Sequence, residues 1–519
     1  MTLPEKCQVL VVGGGPAGSY TASVLGREGI DTVLVEMEHH PRYHIGESLL
    51  PSFRHYLKFI DLDKTFDSYG FMVKPGAAFK MNPTDREGYT DFLATGGSNN
   101  YSWNVIRSEA DEILFRHAAK SGAKTFEGIK INSIEFDQSQ NTDKISGIIG
   151  RPVSAAWSSK GEGTNGIIHF DYIVDATGRA GFLNTKYLKT ATTTKHSRML
   201  PTGPTSREVA HMEVGLRVKT PFSSRHYEVL LINPMRPVQK PLTIRNIDES
   251  GWAWLIPLHD GTQSISVVMN QEIAIKKKGA YSSTEEFYME SLKQAPMLIE
   301  LLGKGERVTP VNYALPYARI VGDAGCFIDP FFSSGVHLAG TGGLSAGTTI
   351  AASIKGDVDE VTAAEWHSNK IKHGYARFLI VVLSAYKQMR NQGQSVLADY
   401  GEDDFDRAFS FFRPVIQGTT DATSKITQAE FSKTIEFLNK AFKPVFDPPI
   451  NSTNGDGIAT PVDIQEQLTA EDMEALQALR KYHSKDGEGL ENFTTDVIDG
   501  LIPRLEMTRL TLIPANQHE

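Results

Sequence analysis

A glycine-rich segment near the N-terminus, GGGPAG at residues 13–18, has the spacing of a dinucleotide-binding turn. Gly13 permits a tight turn, Gly15 lets the backbone approach a pyrophosphate, and Gly18 lets a helix pack closely on a strand. The segment therefore predicts a site for a nucleotide with two phosphates. The alternative is a glycine-rich turn with a purely structural role.

Three further residues favour the nucleotide over the structural turn. The backbone amides near Gly14 and Ala17 would point at the phosphates from a helix N-terminus. Glu36 follows Gly18 by 18 residues, at the position from which an acid hydrogen-bonds a ribose 2′-hydroxyl. A carboxylate there disfavours a 2′-phosphate, so NADP is not expected in this site.

The elements that position this turn form a βαβ unit. Apolar runs at Gln8–Val12 and Thr32–Glu36 predict two buried strands, and Ser19–Arg27 has a helical pattern between them. A further apolar strand is predicted over Ile167–Asp175. Alternation of apolar and polar residues between about 205 and 270 predicts a mostly antiparallel sheet.

The chain therefore reads as an α/β protein with a Rossmann-like core. We expect this core to span residues 1–355 and to carry an inserted, mostly antiparallel sheet at about 180–300. Helical patterns at 363–384, 427–441 and 470–482 predict a helical C-terminal region, 356–519. That region is expected to cover the substrate site.

Composition and charge exclude several classes of protein. With 53 lysines and arginines against 62 aspartates and glutamates, the net charge of −9 argues against a general nucleic-acid binder. Two cysteines, Cys7 and Cys326, are too few for a disulfide scaffold and favour a reducing compartment. No apolar run approaches the roughly 20 residues that span a bilayer. We expect a cytoplasmic protein with no membrane span.

Two distant segments resemble the flavin monooxygenase superfamily: Asp175-Ala-Thr-Gly-Arg179 and Gly322-Asp323-Ala324. The resemblance implies that the nucleotide is FAD and that Asp323 contacts its ribityl or pyrophosphate oxygens. The superfamily's next FAD contacts are matched by Arg42 and by Glu47 in Gly46-Glu47-Ser48, and the arginine beside the flavin by Arg107.

Two motifs resemble those of the flavin-dependent halogenases. Residues 327–337, FIDPFFSSGVH, are similar to the FxPxxSxG signature: Pro330, Ser333 and Gly335 are in register, and Ile328 replaces the phenylalanine. Residues 251–257, GWAWLIP, match WxWxIP in full. A halogenase of this family uses FAD as FADH2, O2 and chloride or bromide.

The resemblance assigns the halide to the start of a helix. Ser334 and Gly335 precede a small-residue run that has a helical pattern and is expected to pack tightly against something flat. In the family a halide lies there, and the Val336 amide would lie near the flavin's carbonyl edge. Amides at a helix start favour an anion. A turn that merely supports the pyrophosphate is the alternative.

Residues 71–79, FMVKPGAAF, with YHIGES at 43–48, most resemble the fungal, radicicol-type halogenases of phenolic polyketides. That resemblance makes Lys74 the residue that relays hypohalous acid, either as an ammonium that holds it or as a neutral amine that forms a chloramine. A lysine in a dry tunnel has a lowered pKa, which suits both roles. Lys80 is the alternative relay.

Other residues refine the substrate. Trp252 and Trp254 alternate on a strand and share one face, either as core packing or as a wall that separates substrate from flavin. Phe332 stands where the tryptophan halogenases carry a catalytic glutamate, which points away from tryptophan and toward a phenol. His337 is either the base for that phenol or structural.

The histidines His39, His40 and His44 lack the accompanying ligands of a metal site, so no metal is expected. The expected activity is halogenation of an electron-rich phenolic ring, with FADH2 supplied by a separate NAD(P)H-dependent flavin reductase. The alternatives are a flavin-dependent hydroxylase and a non-catalytic flavin-fold protein.

Overall fold

A computed structural model gives the fold. It describes residues 3–80, 88–137, 150–161, 163–188, 191–192, 216–219, 242–245, 251–257, 262–269, 309–310, 313–328, 330–390, 490, 493–494, 496–506 and 508–517. For the strands between 191 and 310 only the backbone is described.

The strands are, in chain order, β1 Val9–Val12, β2 Thr32–Val35, β3 Met72–Lys74, β4 Gly76–Lys80, β5 Gly88–Asp91, β6 Ser102–Asn104, β7 Lys124–Phe126, β8 Ile129–Asp137, β9 Arg151–Ser159, β10 Asn165–His169, β11 Tyr172–Asp175, β12 Ala191–Thr192, β13 Leu216–Lys219, β14 Leu242–Arg245, β15 Gly251–Pro257, β16 Thr262–Met269, β17 Thr309–Pro310, β18 Ala314–Leu315, β19 Ala318–Ile320, β20 Leu501–Arg504 and β21 Thr511–Pro514. The helices are α1 Pro16–Arg27, α2 Phe53–Phe59, α3 Asp63–Tyr69, α4 Phe92–Gly96, α5 Arg107–Lys120, α6 Gly335–Lys355 and α7 Glu360–Arg390.

The core is a six-stranded sheet in the order β18-β19-β11-β1-β2-β7. Its strands are parallel except for the β18–β19 pair. All residues of β1 and β2 are buried, as parallel strands covered on both faces require. The predicted βαβ unit is confirmed, with α1 beginning earlier than expected because Pro16 occupies its first turn.

The strand predicted over Ile167–Asp175 is divided in two. Its first part is β10, which pairs antiparallel with β9 in a three-stranded sheet, β10-β9-β8. Its second part is β11, which pairs in parallel with β1. The Asp171 amide, between them, donates to the Gln8 carbonyl over 3.1 Å, so the chain crosses from one sheet to the other at this residue.

A second six-stranded sheet has the order β13-β16-β15-β14-β4-β5. Every pair is antiparallel except β14 and β4. The predicted antiparallel character is therefore confirmed. Two of its strands, β4 and β5, come from before the expected window of 180–300, because this sheet is completed by the segment that follows Lys74.

Glycines let α6 pack against the helices of the core. A Cβ atom on Gly347 would lie 2.5 Å from Val24 Cγ1, and one on Gly343 would lie 3.1 Å from the Ala17 carbonyl, both on α1. A Cβ atom on Gly340 would meet the ring of Tyr56 on α2 at 3.1 Å. The flat surface that the small residues of α6 predicted is therefore supplied by α1 and α2.

The C-terminal region is helical only in part. It begins with α7, whereas the helices predicted at 427–441 and 470–482 lie outside the described residues. The last described segment is a β20–β21 hairpin, not a helix. Leu510 and Leu512 belong to the main core, so the hairpin returns to the first domain. None of the helices described is both long and apolar enough to cross a membrane.

Candidate functional site

A cavity of about 450 Å³ lies at the carboxyl ends of the parallel strands. In an open α/β sheet this edge is where ligands bind. Segments far apart in sequence meet there, and the residues that line it include Gly13, Gly15, Glu36, Arg42, Arg107, Arg179, Asp323, Gly335 and Val336. Most of the predicted site residues therefore share one cavity.

The glycine turn is shaped by close backbone contacts. Gly13 has φ of +110°, and a Cβ atom there would lie 2.3 Å from the Ala176 carbonyl oxygen. A Cβ atom on Gly18 would lie 1.9 Å from the Gly13 carbonyl oxygen. No other residue type fits these two positions, and the turn brings the N-terminus of α1 to the cavity.

Glu36 directly follows β2, next to the predicted place at the end of this strand. Its Oε2 accepts a hydrogen bond from the Gly14 amide over 2.8 Å, and its Oε1 accepts one from the Glu38 amide over 3.0 Å. These bonds fix the carboxylate at the cavity wall. Its position suits recognition of a ribose hydroxyl.

Two arginines converge on one buried carboxylate, Asp111 on α5. Arg107 donates to it from Nε over 2.8 Å and from Nη2 over 3.1 Å, and Arg42 donates from Nη1 over 3.1 Å. Burial alone would raise the pKa of Asp111, but the charges of Arg107 and Arg42 hold it below its ordinary value. Asp111 therefore remains charged and anchors both arginines at the cavity.

The loop between β2 and α2 is held by Arg107 as well. Its Nη1 donates to the Ile45 carbonyl over 2.6 Å. The Arg107 charge, together with burial, lowers the pKa of His44 to about 4, so this histidine is neutral. Glu47 is buried behind the cavity wall, and its Oε2 accepts from the Gly46 amide over 3.0 Å.

The histidines of this loop do not form a metal centre. His40 Nδ1 lies at hydrogen-bond distance, 2.9 Å, from Glu127 Oε1, and its ring stacks on Phe115. Within the part of the chain that the structure describes, no group of three or more histidine, cysteine, aspartate or glutamate side chains could hold a metal ion.

The halogenase-like signature lines the same cavity with Pro330, Ser333, Gly335 and Val336. Burial raises the pKa of Asp323, although the positive charges of Arg179 and Arg107 oppose that effect. Pro330–Phe332 is a single 3-10 turn, Ser333 has φ of +59°, and α6 begins at Gly335. The left-handed backbone at Ser333 turns the chain so that the start of α6 points into the cavity.

Ser334, directly before α6, is fully buried, and among the described residues its hydroxyl has no hydrogen-bond partner. A buried hydroxyl without a partner is uncommon and indicates that another group binds there. The adjoining Gly335 and Val336 line the cavity. A hydroxyl and free amides at a helix start together can hold an anion.

Lys74, at the end of β3, is only 1% exposed. Its Nζ donates to the Leu49 carbonyl over 2.8 Å and lies 5.2 Å from the centre of the Phe92 ring. Among the ion pairs of the described residues, none includes Lys74. Burial lowers its pKa to about 7, so a large share of the side chain is neutral near neutral pH.

Strand β4 connects the lysine segment to the signature. Phe79 packs on Phe331 at 5.4 Å and on Phe332 at 5.2 Å between ring centres. Phe79 also pairs with Thr243 of β14, and Thr243 pairs with Trp254 of β15. The tryptophan strand therefore lies two strands from Phe79. The side chains of Lys80, Trp252 and Trp254 lie outside the described residues.

Comparison with known proteins identifies the family. The FAD binding domain matches residues 6–256. Flavin-dependent halogenase ascD of Acremonium egyptiacum is 49% identical over 528 residues, covering 97% of this chain and 92% of that protein. The chain belongs to the flavin-dependent halogenase family. The sulochrin halogenase gedL of Aspergillus terreus is 43% identical to this halogenase, and the alignment covers 99% of this chain and 94% of that protein.

A solved structure has the same fold as this halogenase. The myxobacterial chondrochloren halogenase CndH aligns with a TM-score of 0.58 at 23% identity, over 80% of this chain and 90% of that one. The predicted FAD-binding α/β fold and the predicted enzyme class are confirmed. The halogenase uses FAD, O2 and a halide, as its family does.

The cavity of the halogenase fits FAD. Any Cβ atom at Gly13 or Gly18 would clash with the backbone. Because both residues are glycines, the turn stays open to a pyrophosphate. Glu36, Asp323 and Val336 all line this cavity. An acid for the ribose, a phosphate turn and a polar group for the ribityl chain are thus all present.

Sequence reasoning missed several residues of the site. Asp111, which anchors two arginines, is four residues after Arg107 on the same helix, and this spacing was the signal that could have revealed it. For His337 the sequence allows two roles, that of the base for the phenol and a structural one. In the structure of the halogenase it is buried, its Nδ1 is 2.8 Å from Ser52 Oγ, and its ring packs on Tyr56 and Phe378, which supports the structural role.

Proposed function

We propose that this halogenase chlorinates or brominates an electron-rich phenolic ring, and that Lys74 carries the oxidised halogen to that ring. The observation that carries the proposal is the burial of Lys74 beside Leu49 with its pKa lowered to about 7. A lysine in this state is a nucleophile at neutral pH, whereas an exposed lysine is protonated.

The cavity residues are proposed to hold FAD in one direction. Glu36 would bind the ribose, Gly15 and Arg42 the pyrophosphate, Asp323 the ribityl chain, and Val336 the edge of the ring system. When bound, reduced FAD gives two electrons and the halide gives two, so that O2 is reduced to water and to the oxygen of hypohalous acid. The residues below act on that acid.

Ser334 and Gly335 are proposed to hold the halide. The buried Ser334 hydroxyl lacks a partner among the described residues, and a halide accepts hydrogen bonds from hydroxyl and amide donors. The start of α6 adds a partial positive charge, which favours an anion. The halide would then lie beside the part of the cavity that Gly335 and Val336 line.

Lys74 is proposed to accept the halogen from hypohalous acid. The neutral amine forms an N–halogen bond while the O–halogen bond breaks, and the amine proton joins the leaving hydroxide as water. The ring carbon of the substrate then bonds to the halogen as the N–halogen bond breaks, and Nζ takes up one proton from solution, which restores the amine. The same ring carbon gives up its proton to a base in solution, so the protons balance. The balance needs no further oxidant.

A phenol suits the aromatic side chains of the halogenase-like signature. The rings of Phe79, Phe331 and Phe332 pack on one another, and Phe332 occupies the position where tryptophan halogenases carry a glutamate. No carboxylate is available at that position to stabilise a cationic ring. The oxygen of a phenol delocalises this charge itself, so we propose a phenolic substrate.

Reduced FAD is proposed to come from a separate NAD(P)H-dependent flavin reductase. The spacing GxGxxG recurs at residues 161–166, but Gly161 and Gly163 lie between β9 and β10, Gly166 lies in β10, and none of the described helices begins there. It therefore lacks the helix N-terminus that binds a pyrophosphate.

The two cysteines are buried and unpaired, which supports a reducing compartment, the cytoplasm.

The test combines the enzyme with a flavin reductase, NADH, O2, chloride or bromide, and a panel of resorcylic and other phenols. A product whose mass shifts with the halide is expected, and Lys74→Met should abolish it while FAD still binds. Lys58→Ala, at an exposed lysine of α2, serves as control. Hydroxylated product formed without halide would refute the proposal in favour of a hydroxylase.

A further inference from the structure

Three buried polar side chains lie beside Lys74 without hydrogen-bond partners among the described residues. They are Ser48, whose Oγ is unpaired, Ser102, whose Oγ is unpaired, and Asn104, whose Oδ1 and Nδ2 are both unpaired. Ser102 and Asn104 are completely buried, and Ser48 is 9% exposed. Burying polar atoms without partners costs free energy, so a polar guest is expected to bind them.

The strand pairing places these side chains on one face. Asn104 lies opposite Ser48 in an antiparallel bridge, and Ser102 lies opposite Lys74 in the β3–β6 pair. Directly opposed residues of antiparallel strands share a face, with their Cβ atoms about 5 Å apart. Residues 102 and 104 also share a face because side chains alternate along a strand. We call Ser48, Asn104 and Ser102 the polar row.

The two ends of the polar row meet the two parts of the proposed reaction. Ser48 lines the cavity that fits FAD. Ser102, at the other end, is the cross-strand neighbour of Lys74. Trp103 points to the opposite face, where it belongs to the main hydrophobic core. The row is therefore a polar connection, walled by apolar packing, between the cavity and the lysine.

We propose that Asn104 is a positioning residue that, with Ser48 and Ser102, binds hypohalous acid between the FAD cavity and Lys74. The acid has one O–H donor and an oxygen that accepts, and the carboxamide of Asn104 offers both an acceptor and donors. The serine hydroxyls rotate to suit either role. This proposal rests on the proposed function, because it requires that the acid form at the FAD cavity and be consumed at Lys74.

The deciding variant is Asn104→Leu, which keeps the size of the side chain and removes both polar atoms. FAD affinity and the rate of FADH2 oxidation should remain within about twofold of wild type. Halogenated phenol per FADH2 oxidised should fall about tenfold. Halogenation of a β-diketone scavenger in solution should rise in return. If Asn104 had only a structural role, its substitution would not shift halogenation from the phenol to the β-diketone.

The matched control is Thr348→Val on α6, which also removes a buried hydroxyl without a described partner. Thr348 is about 20 Å along the helix from its first residue, and both yields should be unchanged. Met72, opposite Asn104, gives a second readout. Its oxidation to the sulfoxide per turnover, measured by mass spectrometry, should increase in Asn104→Leu.

The proposal would be overturned if folded, FAD-binding Asn104→Leu gave unchanged yields of both halogenated phenol and halogenated scavenger. The polar row would then bind ordered water and not the acid. If Asn104→Leu fails to bind FAD, the variant Ser102→Ala tests the proposal instead, because it removes only one hydroxyl. It should lower the yield of halogenated phenol about threefold. The scavenger assay needs no phenolic substrate. A wild-type enzyme that halogenates neither phenol nor scavenger would instead refute the proposed function itself.

Discussion

Lys74 Nζ donates to the Leu49 carbonyl over 2.8 Å, with no carboxylate paired to it among the described ion pairs. Lys370, which is buried to the same extent, pairs instead with Asp496 at 2.6 Å. A buried lysine beside a carboxylate keeps its charge, whereas burial without one favours the neutral amine. Lys370 thus has a carboxylate partner, whereas Lys74 has the surroundings that favour a neutral, nucleophilic amine.

Halogenation should depend on pH through Lys74. Because burial lowers the pKa of Lys74 to about 7, about one tenth of the amine is neutral at pH 6 and nearly all of it at pH 8 or above. Product formed per FADH2 in a single turnover should therefore rise about tenfold from pH 6 to a plateau. Rapid mixing with pre-reduced FAD at each pH measures this. A yield that falls as pH rises would instead assign the relay to the ammonium.

Removal of the Lys74 amine should stabilise the fold, and more so at low pH. The folded-state pKa lies near 7, below the ordinary value of 10.5, so the unfolded chain binds more protons between these values and stability rises with pH across that window. At pH 7 and below, Lys74→Met should gain on the order of 3–5 kcal/mol, and at pH 10.5 little. Denaturant unfolding at both pH values tests it.

The matched control for this stability prediction is Lys370→Met. It leaves Asp496 without its partner at 2.6 Å, and breaking such a pair typically costs about 3–5 kcal/mol. The two substitutions are chemically the same and should have opposite signs at pH 7. If Lys74→Met also destabilises at every pH, the amine is charged in the folded state and the lowered pKa is refuted.

Asp111→Asn should weaken FAD binding without changing the shape of the side chain. The substitution removes the charge that holds Arg107 at 2.8 Å and Arg42 at 3.1 Å. The buried Arg107 then loses its paired carboxylate, whereas Arg42 keeps Glu36 at 3.5 Å. Because such a loss typically costs about 3 kcal/mol or more, the dissociation constant for FAD should rise at least tenfold. Fluorescence titration with FAD measures this.

Glu112→Gln, one residue along α5, is the control for Asp111→Asn. Its partner Arg116 is 44% exposed on its side chain, and the pair is separated by 3.2 Å. Exposed helix pairs contribute about 0.3–0.5 kcal/mol, so FAD affinity should not change. Equal loss in both variants would show that α5 is generally fragile and that Asp111 has no special role.

Features encoded by neighbouring residues were predictable from the sequence. The glycine turn and Glu36 lie within one βαβ unit, and the requirements for Gly13 and Gly18 are visible as close contacts, with the Ala176 carbonyl and the Gly13 carbonyl. The pairing of Ser48 with Asn104 was not predictable, because it joins residues 56 positions apart through strand register. The carbonyl of Leu49 beside Lys74 was hidden for the same reason: backbone groups carry no sequence signal.

The hairpin at the end of the chain illustrates a second limit. Leu510 and Leu512 of the hairpin belong to the main hydrophobic core, and Leu501 packs against it. The Trp366 indole donates to the Leu501 carbonyl over 3.3 Å. The helical pattern upstream favoured one helical region up to residue 519. Tertiary packing against α6 and α7 outweighed that expectation, since strand preference depends strongly on what a segment packs against.

Ser334→Ala should weaken the use of halide and leave FAD binding intact. A hydrogen bond to a charged group contributes about 1.5–3 kcal/mol, so the halide concentration for half-maximal rate should rise by about 10- to 100-fold.

The control is Ser345→Ala on the same helix. The Ser345 hydroxyl is paired with His367 at 2.9 Å, and this residue lies about 15 Å along the axis from the first turn. Steady-state rates across a chloride series, at saturating FADH2, measure both variants. If halide dependence is equal in wild type and Ser334→Ala, the halide is held elsewhere, and the unpaired hydroxyl at the start of α6 has another partner.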